Sequence, residues 1–195
     1  MTIPLTFGPA PYTFVPVAGF SELWQAPLRA SRGVYLWCFE FEGALLVNYV
    51  GKAGGSGGFE TRLRTEHRDW ERGFHNAVVD IDLLKRGVYR AFQTSMTPEH
   101  LRDQLRELRP LYRLILIPLQ TDAECRGVEA GLVQLMRKDA DVFQFLANKD
   151  KSRGYKKPCS LAFPSDAPSL IGMTAAIPRS LREAVNRARS QPLGS

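Results

Sequence analysis

A chain of 195 residues with 44% apolar and 10% aromatic side chains is long enough for one domain with a proper core and too short for two of ordinary size. No apolar run approaches the roughly 18 residues that cross a bilayer as a helix. The net charge of +6 favours a polyanionic partner, because Lys and Arg gain affinity from phosphates by releasing condensed counterions.

Residues 1–30 are rich in proline and aromatics with no sustained period, which predicts an irregular arm packed on the domain. The start MTIPLTFGPAPYTF lacks the charged head and apolar stretch of a secretion signal, so a cytoplasmic location is the expectation. From Gly33 the text changes: GVYLWCFEF and ALLVNYV, separated by Glu42 and Gly43, predict a β-hairpin with a tight turn. A glycine-rich loop, AGGSGG, follows. Phe59 to Arg72 sets Phe59, Leu63 and Trp70 among charges, the pattern of a helix with one apolar side and an arginine-bearing opposite face. AVVDIDLL reads equally as a strand or a short helix. Thr97, Pro98 and Glu99 open a helix to about Leu108, with Thr97 as N-cap and Pro98 at the first helical position. YRLILIPL, Tyr112 to Leu119, predicts a strand. Thr121 to about Met136 predicts a helix with a capping box of Thr121 and Glu124, and a core stripe of Val128, Leu132, Leu135 and Met136. A basic loop from Lys149 to Pro158, an irregular stretch and a basic helix from Arg179 to about Arg189 complete the chain. Cys38, Cys125 and Cys159 are odd in number, widely spaced and in no CxxC pair, which argues against a disulfide framework and against a zinc site.

The charge is clustered. Arg62, Arg64, Arg68 and Arg72 share one segment, and Arg137 to Lys157 holds seven Lys or Arg against three Asp. Tyr35 and Tyr49 fall on the two strands of the hairpin, so both phenols can share one sheet face, with Gly33 and Gly51 beside them and Lys52 at the same end. Glu129 stands beside an apolar stripe among Gly127, Ala130 and Gly131. A carboxylate there is costly to bury without a partner, and a metal ion would provide one. Gly51 and Lys52 do not belong to a phosphate-binding P-loop, since no glycine stands at position 46 and Ala53 follows the lysine.

Taken in order, GVY, YVGK, FETRLRTEH, the glutamate of CRGVEAGLVQLM and the asparagine of FLANKDK resemble the GIY-YIG nuclease family over about Gly33 to Asn148. The resemblance implies an α+β fold: a small, mostly antiparallel three-stranded sheet flanked by helices over 31–160. The N-terminal arm (1–30) and the C-terminal extension (161–195) are read from the sequence alone and lie outside the resemblance, which further implies a divalent-metal-dependent DNA endonuclease using Mg²⁺ or Mn²⁺, one ion per site. Tyr35 would activate water, Arg62 (or Arg64) would face the scissile phosphate, Glu129 would hold the metal, Tyr49 and Lys52 would position and polarise, and Asn148 would order Glu129 or the substrate backbone. Lys52 and Arg62 near the phenol would favour phenolate. Glu66 occupies the slot where that family more often has a histidine, and His67 follows it as a candidate. Arg64, Arg68, His75, Lys149, Lys151, Arg153, Lys156 and Lys157 are the expected contacts to nucleic acid. A restriction enzyme, a structure-selective repair or recombination nuclease, a DNA-degrading toxin and a catalytically idle binding module all fit the pattern. Two copies would pair where both strands are cut.

Overall fold

The computed structural model of the chain describes residues 2–5, 30–72, 111–148 and 158–190, together with Glu99, Asp103 and Glu107, which are helical. Their elements in chain order are β1 (Thr2–Pro4), β2 (Gly33–Phe41), β3 (Ala44–Ala53), α1 (Gly58–Glu71), β4 (Tyr112–Pro118), α2 (Asp122–Met136), α3 (Ala140–Phe143), β5 (Ser160–Ala162) and α4 (Arg179–Ser190). The fold is α+β, with a three-stranded antiparallel sheet in the order β3-β2-β4 flanked by helices.

The hairpin turns at Glu42 and Gly43, with φ of 48° and 76°. Two successive positive φ values match the twist of a two-residue hairpin turn, and glycine at the second position adopts one without strain. The paired register sets Tyr35 opposite Gly51 and Trp37 opposite Tyr49, then slips by one residue so that Cys38 faces Val47. Asn48 is the extra residue of this bulge. It is buried and tied on both sides: its Nδ2 donates to the Phe145 carbonyl at 2.7 Å, and the Tyr112 hydroxyl donates to its Oδ1 at 2.6 Å.

As the central strand, β2 is buried along nearly its whole length, which is why GVYLWCFEF reads as an almost continuous apolar run. The pairing places Tyr35, Trp37 and Phe39 on one face with Tyr49, Gly51, Leu114 and Tyr112. Helix α1 packs on β3 and buries Phe59, Leu63 and Glu66. Val34, Leu36 and Cys38 lie on the other face, in one apolar cluster with Cys125, Val128, Leu132, Val133 and Met136 of α2. The expected stripe of α2 holds at Val128, Leu132 and Met136, while Leu135 is only partly covered. Its capping box is present in both directions, from the Thr121 side chain and from Glu124.

The two flanks differ from the expectation. Thr2–Pro4 is a strand, and it pairs in parallel with Ser160–Ala162 in a region read as irregular. Leu5, Leu170, Ile171, Leu181 and Val185 belong to the same core as the sheet. Three-residue strands carry too few positions for a period to register, and their partner lies far away in sequence. The rest of the arm, AVVDIDLL and the basic loop 149–157 lie outside the described residues. Among the described residues no helix is long and apolar enough to cross a membrane.

Candidate active site at the edge of strand β3

The β2–β3 register explains the glycine opposite Tyr35. A Cβ at Gly51 would fall on the Tyr35 ring, so the ring can lie across the strand only because no side chain is there. Tyr49 stands two residues back on the same face, and the two ring centroids are 6.1 Å apart. After the glycine-rich loop, α1 starts at Gly58, with φ of 56° and the Phe59 amide bonded to the Ser31 carbonyl at 2.9 Å. Arg62 and Glu66, four residues apart, lie on one face of α1, facing the tyrosines.

These residues form one hydrogen-bonded group. The Tyr35 hydroxyl donates to Glu66 Oε1 in a short contact, and Trp37 Nε1 donates to Glu66 Oε2 at 3.2 Å. Arg62 donates from Nε to the Tyr35 hydroxyl at 3.1 Å and from Nη2 to Glu66 Oε1 at 3.1 Å. Beside this group opens a cleft of about 490 Å³ lined by Tyr49, Lys52, the glycine-rich loop, Thr61, Arg62, Thr65, Asp122 and Glu129. Tyr49 is half-buried, whereas Tyr35 is fully covered. The phenol that the cleft presents is therefore Tyr49, and the Tyr35 hydroxyl is turned inward.

The electrostatics reverse the expectation that nearby cations favour phenolate. Burial pushes the Tyr35 phenol well above its ordinary value, and the Glu66 carboxylate pushes it further; Arg62 opposes both and is outweighed. Tyr49 is raised in the same way, first by burial and then by Glu66. Glu66 itself is raised by burial, against the opposing effects of Arg62 and the bonds from Tyr35 and Trp37. Both phenols are neutral at neutral pH.

Lys52 Nζ lies 3.2 Å from Asp122 Oδ1 in the first turn of α2, and Asp122 pairs also with Arg126. Asp122 is thus a second carboxylate on the cleft. In the sequence it looks like an ordinary first-turn acid next to the capping box; in the structure a Cβ at Gly54 would meet its carboxylate. Asp122 and Glu129 are seven residues apart, roughly 10 Å along the helix axis at 1.5 Å per residue. They do not converge on one ligand set, and among the described residues no cluster of three His, Cys, Asp or Glu side chains could hold a metal. Glu129, half-buried on this open cleft, suits Mg²⁺ or Mn²⁺, which keep several waters and take oxygens from substrate phosphate.

Asn148 is buried beside β3 and grips its outer edge: Oδ1 accepts from the Val50 amide at 3.0 Å, and Nδ2 donates to the Val50 carbonyl at 2.5 Å. It orders the strand between Tyr49 and Gly51. Arg64 is exposed and paired with Glu60 at 2.8 Å, and Arg68 is exposed in the last turn of α1. The backbone of His67 belongs to α1, and its side chain lies outside the described residues, as do His75, Lys149, Lys151, Arg153, Lys156 and Lys157. No protein-family model, curated protein or solved structure matches the chain.

Proposed function

We propose that the chain is a divalent-metal-dependent DNA endonuclease with a site of GIY-YIG type. One observation carries the reading. Tyr49, Lys52, Arg62 and Glu129, drawn from three separate segments and ordered as the resemblance orders them, line a single cleft, with Tyr35 directly behind.

Phosphodiester hydrolysis needs an oriented water, cations on the phosphoryl oxygens and help for the leaving oxygen. Arg62 binds and stabilises the phosphoryl group. Lys52 adds positive potential, divided between substrate and Asp122. Tyr49 holds the attacking water by a hydrogen bond, and Tyr35 steadies Arg62 from behind. Neither phenol acts as a charged base, since burial keeps both protonated. Glu129 would hold the divalent cation, which when bound would supply Lewis acidity to the reaction. Asn148 keeps the tyrosine-bearing strand in register.

Supercoiled plasmid incubated with the protein in Mg²⁺ and in EDTA tests the reading. Cleavage in Mg²⁺ and none in EDTA is the expected result, with discrete fragments if the enzyme is of restriction type. Plasmid that is bound but intact in both buffers would make the chain an idle binding module.

A further inference from the structure

A carboxylate only 2% exposed is costly to bury unless donors meet its oxygens. Glu66 is met by three: Trp37 Nε1 on Oε2, and Tyr35 Oη and Arg62 Nη2 on Oε1. Arg62 closes the ring by donating Nε to Tyr35. Tyr35 spends its single proton on Glu66, so its oxygen is left to accept from the guanidinium. Glu66 and Tyr35 are closed off from the cleft, but the Arg62 side chain is 40% exposed and lines it. Stability alone gives little reason to keep a carboxylate at this depth, since apolar residues of similar volume commonly replace a buried ion pair without loss. What the carboxylate supplies here is a fixed guanidinium.

We propose that Glu66 is a positioning residue of the cleavage site: directly and through Tyr35, it fixes the Arg62 guanidinium so that the remaining N–H groups meet a phosphoryl oxygen of the substrate. This rests on the endonuclease reading. A guanidinium has five N–H donors in one plane. With Nε and one Nη2 proton committed inward, its orientation is set before substrate arrives, and no ordering is left for the transition state.

Glu66→Gln probes this closely. Its single oxygen cannot serve Trp37 on one side and Arg62 on the other, because the amide nitrogen that replaces the second oxygen is itself a donor. The expected result is cleavage slowed by about tenfold or more, with DNA affinity in EDTA changed by less than about threefold. Glu66→Asp keeps the charge and should retain more cleavage than Glu66→Gln, which also guards against a variant lost to misfolding. In an Arg62→Ala background, Glu66→Gln should cost less than about twofold, because the group that it positions is gone. The Arg62 Nε–H resonance should be sharp and slowly exchanging in the wild-type protein and lost in Glu66→Gln. Multiplicative effects of the two substitutions, or an unchanged Arg62 resonance, would overturn the proposal. A wild-type protein that does not cut would overturn the endonuclease reading, while the resonance still decides whether Glu66 fixes Arg62.

Discussion

Replacing Asn148 tests how the edge of the site is held. In the wild-type protein Val50 sits opposite Leu36, and its amide and carbonyl face away from β2, where Asn148 takes both at 3.0 and 2.5 Å. Asn148→Ala removes both partners at a buried position. Leaving one buried donor or acceptor unsatisfied costs about 1–3 kcal/mol, and water entering at the strand edge recovers part of it, so a loss of about 2–4 kcal/mol is expected. For a chain of this size each kcal/mol moves the melting midpoint by about 2–4 °C, giving a fall of roughly 4–16 °C. Asn148→Asp separates the two bonds. One oxygen still accepts from the Val50 amide, but the other faces the Val50 carbonyl, so the variant should be unstable at neutral pH and recover as acid protonates it and restores a donor. Thermal and urea unfolding measure both, and cleavage should fall alongside because Tyr49 and Gly51 flank Val50. An Asn148→Ala protein within about 0.5 kcal/mol of wild type, the range of an ordinary surface change, would show that the Val50 amide and carbonyl do not depend on Asn148.

Gly51→Ala places a methyl group against the Tyr35 ring, so it should destabilise by about 1–3 kcal/mol and depress cleavage; a protein unchanged in melting and cutting would show that the ring has room to move. Stability should decline above pH 10. Burial holds the Tyr35 and Tyr112 phenols above their ordinary value, so their contribution is whole below the unfolded value near 10 and is lost as pH climbs toward the folded values, at about 2.7 kcal/mol per pH unit for the pair. A urea midpoint that stays flat from pH 7 to 11 would contradict this. DNA affinity should fall steeply with salt, by about 0.9 log unit per log unit of salt for each phosphate contacted, and Lys156→Ala with Lys157→Ala should weaken all sequences alike. Affinity indifferent to salt would argue against a phosphate-tracking surface.

What the sequence made legible was local. The hairpin, its two-residue turn, the helix from Gly58 and the capping box of α2 each leave a pattern within about a dozen residues, and each appears where the pattern put it. The shared face of Tyr35 and Tyr49 followed from strand pairing. Glu66 and Asp122 were invisible in their actual roles because those roles are tertiary: Glu66 meets Tyr35 across 31 residues, and Asp122 meets Lys52 across 70. Phenol acidity was misjudged for a related reason. Cations near the tyrosines can be read from a sequence, but the burial that outweighs them cannot. The pairing of β1 with β5 escaped because three residues hold no period.

We propose Glu129 as the holder of the metal that cleavage requires, and Glu129→Gln probes this because it keeps the size and shape of the side chain while removing its charge. Cleavage and DNA affinity are measured for the variant beside wild type, in Mg²⁺ and in EDTA. The expected result is a folded protein that binds DNA at least as well as wild type in EDTA and does not cut in either buffer. For the wild-type protein, Mg²⁺ and DNA should each tighten the other's binding, because the substrate phosphate adds oxygens to the cation's shell. A Glu129→Gln protein that cuts at near wild-type rate in Mg²⁺ would remove Glu129 from the metal site.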